Sequence, residues 1–183
     1  MAKDHQAIVF AHTDKFGSVM ALRARSRKAK NIYSISKEIA ERDTGLTLEA
    51  FPSKRDDGYW FGLHLVDWLK PVILVEGEMD LARLHSLGKT NVIASGGVGV
   101  TRAQINGLEA WTYILGYDAD ESGQKANDRI DQMLGKSALM VYRVNWSLAQ
   151  VCNNGQTRPC KDAGDLPDKS ALNKVFRNIQ KVR

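Results

Sequence analysis

Three runs of the sequence gather carboxylates in a way that suits cation-assisted chemistry. They are Glu76-Gly77-Glu78-Met79-Asp80, Asp118-Ala119-Asp120-Glu121-Ser122-Gly123 and Lys161-Asp162-Ala163-Gly164-Asp165. Several carboxylates crowded together as anions repel one another unless a cation sits among them, and oxygen donors with no His or Cys select a hard ion such as Mg²⁺ or Mn²⁺. Such an ion keeps positions for water and substrate phosphates. A pair of ions about 4 Å apart stabilises both the attacking and the leaving oxygens of a phosphoryl transfer. The bland alternative makes Asp80, Asp120 and Glu121 helix-start acids favoured by the macrodipole. That explains any one of them and explains the set poorly.

The acids matter only if the chain brings them together, and the intervening pattern says how it does. After Pro71, the apolar run Val72-Ile73-Leu74-Val75 ends at Glu76, and Glu78 to Leu87 has helical spacing until Gly88. Asn91 to Ser95 is the next strand, and Gly96-Gly97-Val98-Gly99 a turn. Thr101 caps a helix to about Ala110. Trp111 to Tyr117, a helix from Glu121 to Leu134, a strand from Ala138 to Val144 and an amphipathic helix from Ser170 to Gln180 complete the alternation. Strands separated by helices of about ten residues imply a parallel sheet with right-handed crossovers. Ligands of such sheets sit beyond the carboxyl ends of the strands, where the acidic runs fall. An i, i+2 pair such as Asp118 and Asp120 presents both carboxylates to one side.

The first third reads differently. Gln6 to Ala11 and Ser18 to Arg25 make a hairpin around the turn Asp14-Lys15-Phe16-Gly17, with a third strand over Asn31 to Ile35 and a helix over Ser36 to Arg42. Arg23, Arg25, Arg27, Lys28 and Lys30 place five cations in eight residues, suited to tracking a phosphate backbone or to protecting a solvated edge strand. Tyr59-Trp60-Phe61 and Trp68 either stack bases or, as the helical spacing of Phe61 to Leu69 suggests, belong to the core. The four histidines share no spacing. Ser95 to Gly99 lacks the Lys-Ser/Thr of a phosphate-binding loop.

Composition sets the outer limits. The chain has 183 residues, 43% hydrophobic and 26% charged, enough for one or two globular domains with a real core. Its net charge of +5 permits a polyanionic partner without requiring one. Two cysteines, Cys152 and Cys160, make neither a disulfide framework nor a zinc module, so a reducing compartment is the default. No run of about 18 apolar residues occurs, and the expectation is a soluble, cytoplasmic protein with no membrane partner.

Val75-Glu76-Gly77-Glu78-Met79-Asp80 followed by Asp118-Ala119-Asp120-Glu121-Ser122-Gly123 resembles the Toprim domain of primases, topoisomerases and some nucleases. The run to Ala126 and Pro159-Cys160-Lys161-Asp162-Ala163 look most like DnaG-type primases, especially the primase part of phage primase-helicases. The resemblance covers roughly Pro71 to Asp165, with a looser match around Arg23-Ala24-Arg25, Lys30 and Tyr33-Ser34. It implies an α/β fold: a Toprim-like open, mainly parallel sheet flanked by helices over 71–183, preceded by a small mixed α+β subdomain with an antiparallel hairpin over 1–70. By resemblance Glu76 serves acid-base chemistry or metal organisation, Asp118 and Asp120 are the metal-binding pair, and Asp80 and Asp162 complete the rim. Two Mg²⁺ or Mn²⁺ ions are implied. DnaG-type sequences place a second aspartate where this chain has Gly164, which leaves Asp165 outside the set.

The activity implied is a nucleotidyltransferase, a DNA-directed RNA polymerase of primase type, making short RNA primers for DNA replication. Its partners would be a single-stranded DNA template, NTPs and a replicative helicase or helicase domain, at a nucleoid or replication fork, in a host or a phage or mobile element. Arg23, Arg25, Arg27, Lys28, Lys30 and Lys161 are then the cations for nucleic acid or nucleotide. The alternatives are a Toprim nuclease using the same site, and a catalytically silent module binding nucleic acid or a helicase. The chain carries neither a cysteine-rich zinc ribbon nor a helicase P-loop.

Overall fold

The computed structural model describes residues 7–26, 32–35, 41–42 and 58–183. Arg27, Lys28 and Lys30 lie outside them. So does most of the expected helix over 36–42, of which residues 41–42 are described and helical.

The hairpin forms as its turn chemistry dictates. β1 (Ala7–Thr13) and β2 (Val19–Ser26) pair antiparallel, and β3 (Ile32–Ile35) adds to the far edge of β2. Asp14 closes the turn, its Oδ1 accepting from the backbone N–H of Phe16 at 2.8 Å and of Ser18 at 2.9 Å.

The second sheet has the order β10-β7-β6-β4-β5. β4 (Val72–Val75), β5 (Val92–Ala94), β6 (Thr112–Gly116) and β7 (Met140–Arg143) run parallel, and β10 (Gln180–Lys181) joins β7 antiparallel at the edge. Strand residues alternate between two cores. Val72, Leu74, Ile93, Tyr113, Leu115 and Val141 face one, with Ile105, Ala126, Ile130 and Leu134 from α2 (Arg102–Asn106) and α3 (Glu121–Leu134). Ile73, Val75, Val92, Ala94 and Ile114 face the other, packed by Leu81 and Leu84 of α1 (Glu78–Ser86) and Leu172 and Val175 of α4 (Lys169–Arg177). Burial on both faces explains why these strands read as unbroken apolar runs. Each buried Val, Leu or Ile among them contributes about 1.5–3 kcal/mol.

Residues 60–61 join the two sheets. Phe61 exchanges backbone hydrogen bonds with Ala94 at 2.9 and 3.0 Å, while Trp60 forms a bridge to Thr13 at the end of β1. Trp60 is fully buried and its indole N–H donates to the Gln104 carbonyl at 3.0 Å, so it is core and not a stacking platform for bases. The helical spacing over Phe61 to Leu69 yields only a single 3₁₀ turn, Leu63–Leu65, because the chain returns to extended backbone at Val66 on its way to β4. The helix expected to reach Ala110 stops at Asn106, capped at Gly107, and Ala110 is buried beneath β6 instead. Among the described residues no helix is long and apolar enough to cross a membrane.

Candidate functional site

The acidic residues collect at the carboxyl ends of β4 and β6, the central strands. Glu76 follows β4 directly, and Asp80 lies in the first turn of α1. Asp118 leaves β6 two residues past its end, and the backbone N–H of Ala119 donates to the Lys161 carbonyl at 2.7 Å. That bond draws the Lys161-Asp162 loop onto the same rim. Gly164 N–H donates to Asp80 Oδ1 at 3.0 Å, joining that loop to α1. Gly123 is needed for close approach: a Cβ there would lie 2.2 Å from the Asp118 carbonyl oxygen. The first turn of α3 can therefore press against the backbone that carries Asp118.

Each carboxylate has a different electrical situation. Burial, then the charges of Asp118, Asp120 and Asp80, push Glu76 up to about 7. Burial, then Asp162 and Asp118, raise Asp80 to about 7 against two backbone N–H donors. Asp118 is raised to about 6 by burial and by Asp162, with Lys161 opposing. This is mutual repulsion among partly desolvated anions. Asp120 departs from the group. It is exposed, caps α3 through Gly123 N–H at 2.9 Å and Ser122 Oγ at 2.8 Å, and those bonds hold its carboxyl below the usual range. Asp120 thus fills the helix-start role weighed for it through Oδ1.

Among the described residues no three of these side chains converge closely enough to form a metal-binding group. Oδ1 and Oδ2 of Asp80 accept from Gly164 and Gly77, and Asp162 Oδ1 accepts from Asp165 N–H at 2.9 Å. The rim nevertheless fits a hard cation in chemistry: it is all oxygen, and three of its carboxylates are raised by burial and then by their neighbours. Lys161 partly supplies a positive charge, with Nζ 3.0 Å from Asp162 Oδ2 and 3.8 Å from Asp118 Oδ2.

The cations expected to face nucleic acid divide. Arg23 turns inward: Nη1 donates to Glu78 Oε1 at 2.5 Å and to the Gly96 carbonyl at 2.7 Å. Arg25 lies on the same face of β2, half-buried, and Lys161 stands over the acids. Residues singled out by the structure alone are His12, Ser95, Tyr117 and Arg158. Arg158 grips Asp165 with two bonds, of 2.6 and 2.8 Å, and Asp165 Oδ2 also accepts from Lys161 N–H at 2.9 Å. Asp165 thus braces the Lys161-Asp162 turn and stands outside the rim. Tyr117 O–H donates to Ser95 Oγ at 2.6 Å, and Ser95 Oγ to the Gly97 carbonyl at 2.8 Å. The partners of His12 and Tyr117 are 66 and 22 positions away in sequence, so spacing carried no signal for them.

The parallel α/β sheet carries acids at adjacent strand ends, and residues 73–154 match the Toprim-like family. The chain is 44% identical over 75 residues to the DNA primase of Aquifex aeolicus (strain VF5), across 39% of this chain and 15% of that protein. It is 31% identical over 127 residues to the DNA primase of Clostridium acetobutylicum, across 67% of this chain and 20% of that one. Its fold superposes on a crystal structure of the Aquifex aeolicus primase zinc-binding and RNA polymerase domains with a TM-score of 0.71, at 23% identity, over 96% of this chain and 41% of that one. The primase fragment of the bacteriophage T7 primase-helicase gives a TM-score of 0.64 at 20% identity, over 92% of this chain and 60% of that one. Residues 73–154 are thus Toprim-like, and the fold around them is shared with primase catalytic cores. The chain spans only 12% to 20% of the length of the curated primases it matches.

Proposed function

We propose that this chain is the RNA-polymerase core of a primase, which joins ribonucleotides on a single-stranded DNA template. The observation that carries the reading is the rim of Glu76, Asp80, Asp118 and Asp162 at the ends of β4 and β6, on the frame of primase cores. In the reaction the 3′-hydroxyl of one nucleotide attacks the α-phosphate of the next; the new P–O bond forms as the α–β bond breaks and pyrophosphate leaves. Asp118 and Asp120, organised by Glu76 and with Asp80 and Asp162 completing the rim, would hold one or two divalent ions, Mg²⁺ or Mn²⁺. When bound, these ions neutralise the triphosphate and the developing charge.

The chain's own residues do the remaining work. Glu76, raised to about 7 by burial and its aspartate neighbours while no ion is bound, stands beside the ion-holding pair and suits taking up the hydroxyl proton. Lys161 stands where it can pair with phosphate once Asp118 and Asp162 are engaged. Arg25, with Arg27, Lys28 and Lys30, would follow the template backbone. NTPs, template and a helicase or helicase domain are the partners of this reading, with the replication fork as its setting.

The test is primer synthesis on varied single-stranded templates with labelled NTPs. Wild-type protein should extend primers only with a divalent ion, and Asp118→Ala or Glu76→Gln should reduce the rate by about 10²-fold or more. Full activity in either variant overturns the site assignment. Shortening of a labelled strand by Mn²⁺ alone, without NTPs, would replace synthesis with phosphodiester cleavage at the same rim.

A further inference from the structure

Glu78 is 3% exposed, yet it is a carboxylate in the middle of the acidic motif. A buried charge persists only when it is paired, and its partners here come from the other sheet. His12 of β1 lies with Nε2 3.0 Å from Glu78 Oε1; since an ionised carboxylate only accepts, that nitrogen carries the proton. Arg23 of β2 donates to the same oxygen at 2.5 Å and, from the same nitrogen, to the Gly96 carbonyl at 2.7 Å.

Gly96 and Glu78 flank the peptide that carries Glu76. Gly97 N–H donates to the Glu76 carbonyl at 2.9 Å, and Ser95 N–H to the Val75 carbonyl at 3.1 Å. Ser95 is held in turn by Tyr117, the residue before Asp118. The close fit is built in: a Cβ on Gly96 would lie 2.0 Å from Arg23 Nη1 and 3.3 Å from Glu78 Oε1, and Gly96 has φ 75°. Only glycine admits the guanidinium.

We propose that Arg23 is a positioning residue, whose guanidinium, acting through Glu78 and Gly96, fixes the backbone that presents Glu76. The inference assigns to Arg23 a task other than holding nucleic acid, and its catalytic consequence rests on the primase reading. The N-terminal sheet then serves the acidic rim by bracing it from behind. Displacing Arg23 frees the Ser95 to Gly97 loop and the first turn of α1 together, so Glu76 loses its fixed direction while the sheet beneath stays packed.

The experiment uses the full chain with Arg23→Gln, Glu78→Gln and the double variant, and reads three quantities. Amide exchange comes first: Gly97 and Asp80 N–H should exchange about tenfold faster or more in each variant, with β6 and β7 amides unchanged. Second, anisotropy with a labelled single-stranded oligonucleotide should give the same Kd and salt slope within about twofold. Third, kcat for primer synthesis should fall about tenfold in each single variant, and the double should lose no more than the worse single, because both act through one contact.

Unchanged Gly97 exchange overturns the proposal. So does a loss of oligonucleotide binding in Arg23→Gln alone, with the salt slope reduced by about one, because Arg23 would then contact phosphate. A wild-type chain that makes no primer ends the primase reading and leaves the exchange measurement to decide the brace. Should the single variants not fold, Arg23→Met with Glu78→Met removes both charges at once, and fast Gly97 exchange in that folded pair supports the brace while slow exchange overturns it.

Discussion

Glu76 and Glu78 stand on either side of one glycine and have opposite fates. Glu76 faces the rim, where burial and three neighbouring aspartates raise it to about 7. Glu78 is the more buried of the two, and burial is the strongest influence on it as well; yet the His12 hydrogen bond and the Arg23 charge outweigh that burial and hold its carboxyl below the ordinary value. Partners, more than depth, decide which carboxylate stays an anion. The difference divides the motif into a part that stores repulsion for use and a part that relieves it for support.

The largest expected effect comes from removing support. Glu78→Ala takes from the mostly buried Arg23 its carboxylate partner, leaving the Gly96 carbonyl, and breaking a buried pair in this way costs up to about 3–5 kcal/mol. Glu76→Gln removes a charge that its neighbours repel and should leave the metal-free chain as stable as wild type or slightly more stable at pH 8. Urea denaturation of both variants checks the contrast. Equal losses would erase it.

Titration sharpens the contrast. Glu76, Asp80 and Asp118 have folded values of about 7, 7 and 6, above their ordinary 4.5, 3.8 and 3.8, so the folded chain binds protons more tightly than the unfolded one. Their contribution to stability is fully present below the ordinary values and is lost as pH rises through about 6 to 7. Glu78 is lowered, so its contribution is present above 4.5 and is lost as pH falls through its folded value. Metal-free Tm should therefore fall between pH 5 and pH 8, and Glu76→Gln should flatten that fall. Mg²⁺ should raise Tm more at pH 8 than at pH 5. A Tm that rises from pH 5 to pH 8 without metal would contradict the charge state assigned to the rim.

Legibility followed the range of the interactions. β4, β6 and α3 were readable because their patterns are local: an apolar run, a glycine or an N-cap, then helical spacing. The acids at their ends were readable for the same reason. The split between Glu76 and Glu78 was not, since the deciding partners are 55 and 66 positions away in sequence. The same applies to Arg23, which in sequence is one of five similar cations. The hairpin of β8 (Gln150–Asn153) and β9 (Gln156–Pro159) has a local signal set inside a polar stretch: Asn154-Gly155, with φ 51° and 77°, is a favoured two-residue hairpin turn. That hairpin delivers Arg158 to Asp165.

The smallest effect tests the boundary between the two regions. Lys161 is the cation the rim does possess, but its side chain is 56% exposed, so its attraction to Asp118 and Asp162 is mostly screened. Lys161→Met should lower metal-free stability at pH 8 by no more than about 1 kcal/mol. The loss should shrink at pH 5, where Glu76 and Asp118 carry more protons, and should also shrink in about 1 M salt, where the Debye length is near 3 Å. Arg23 should behave otherwise, because its 13% exposed side chain pairs with a carboxylate that stays ionised and that salt does not reach. If Lys161→Met costs the same at both pH values and in high salt, Lys161 braces its loop by packing. The electrostatic difference between the rim and its support would then rest on the acids alone.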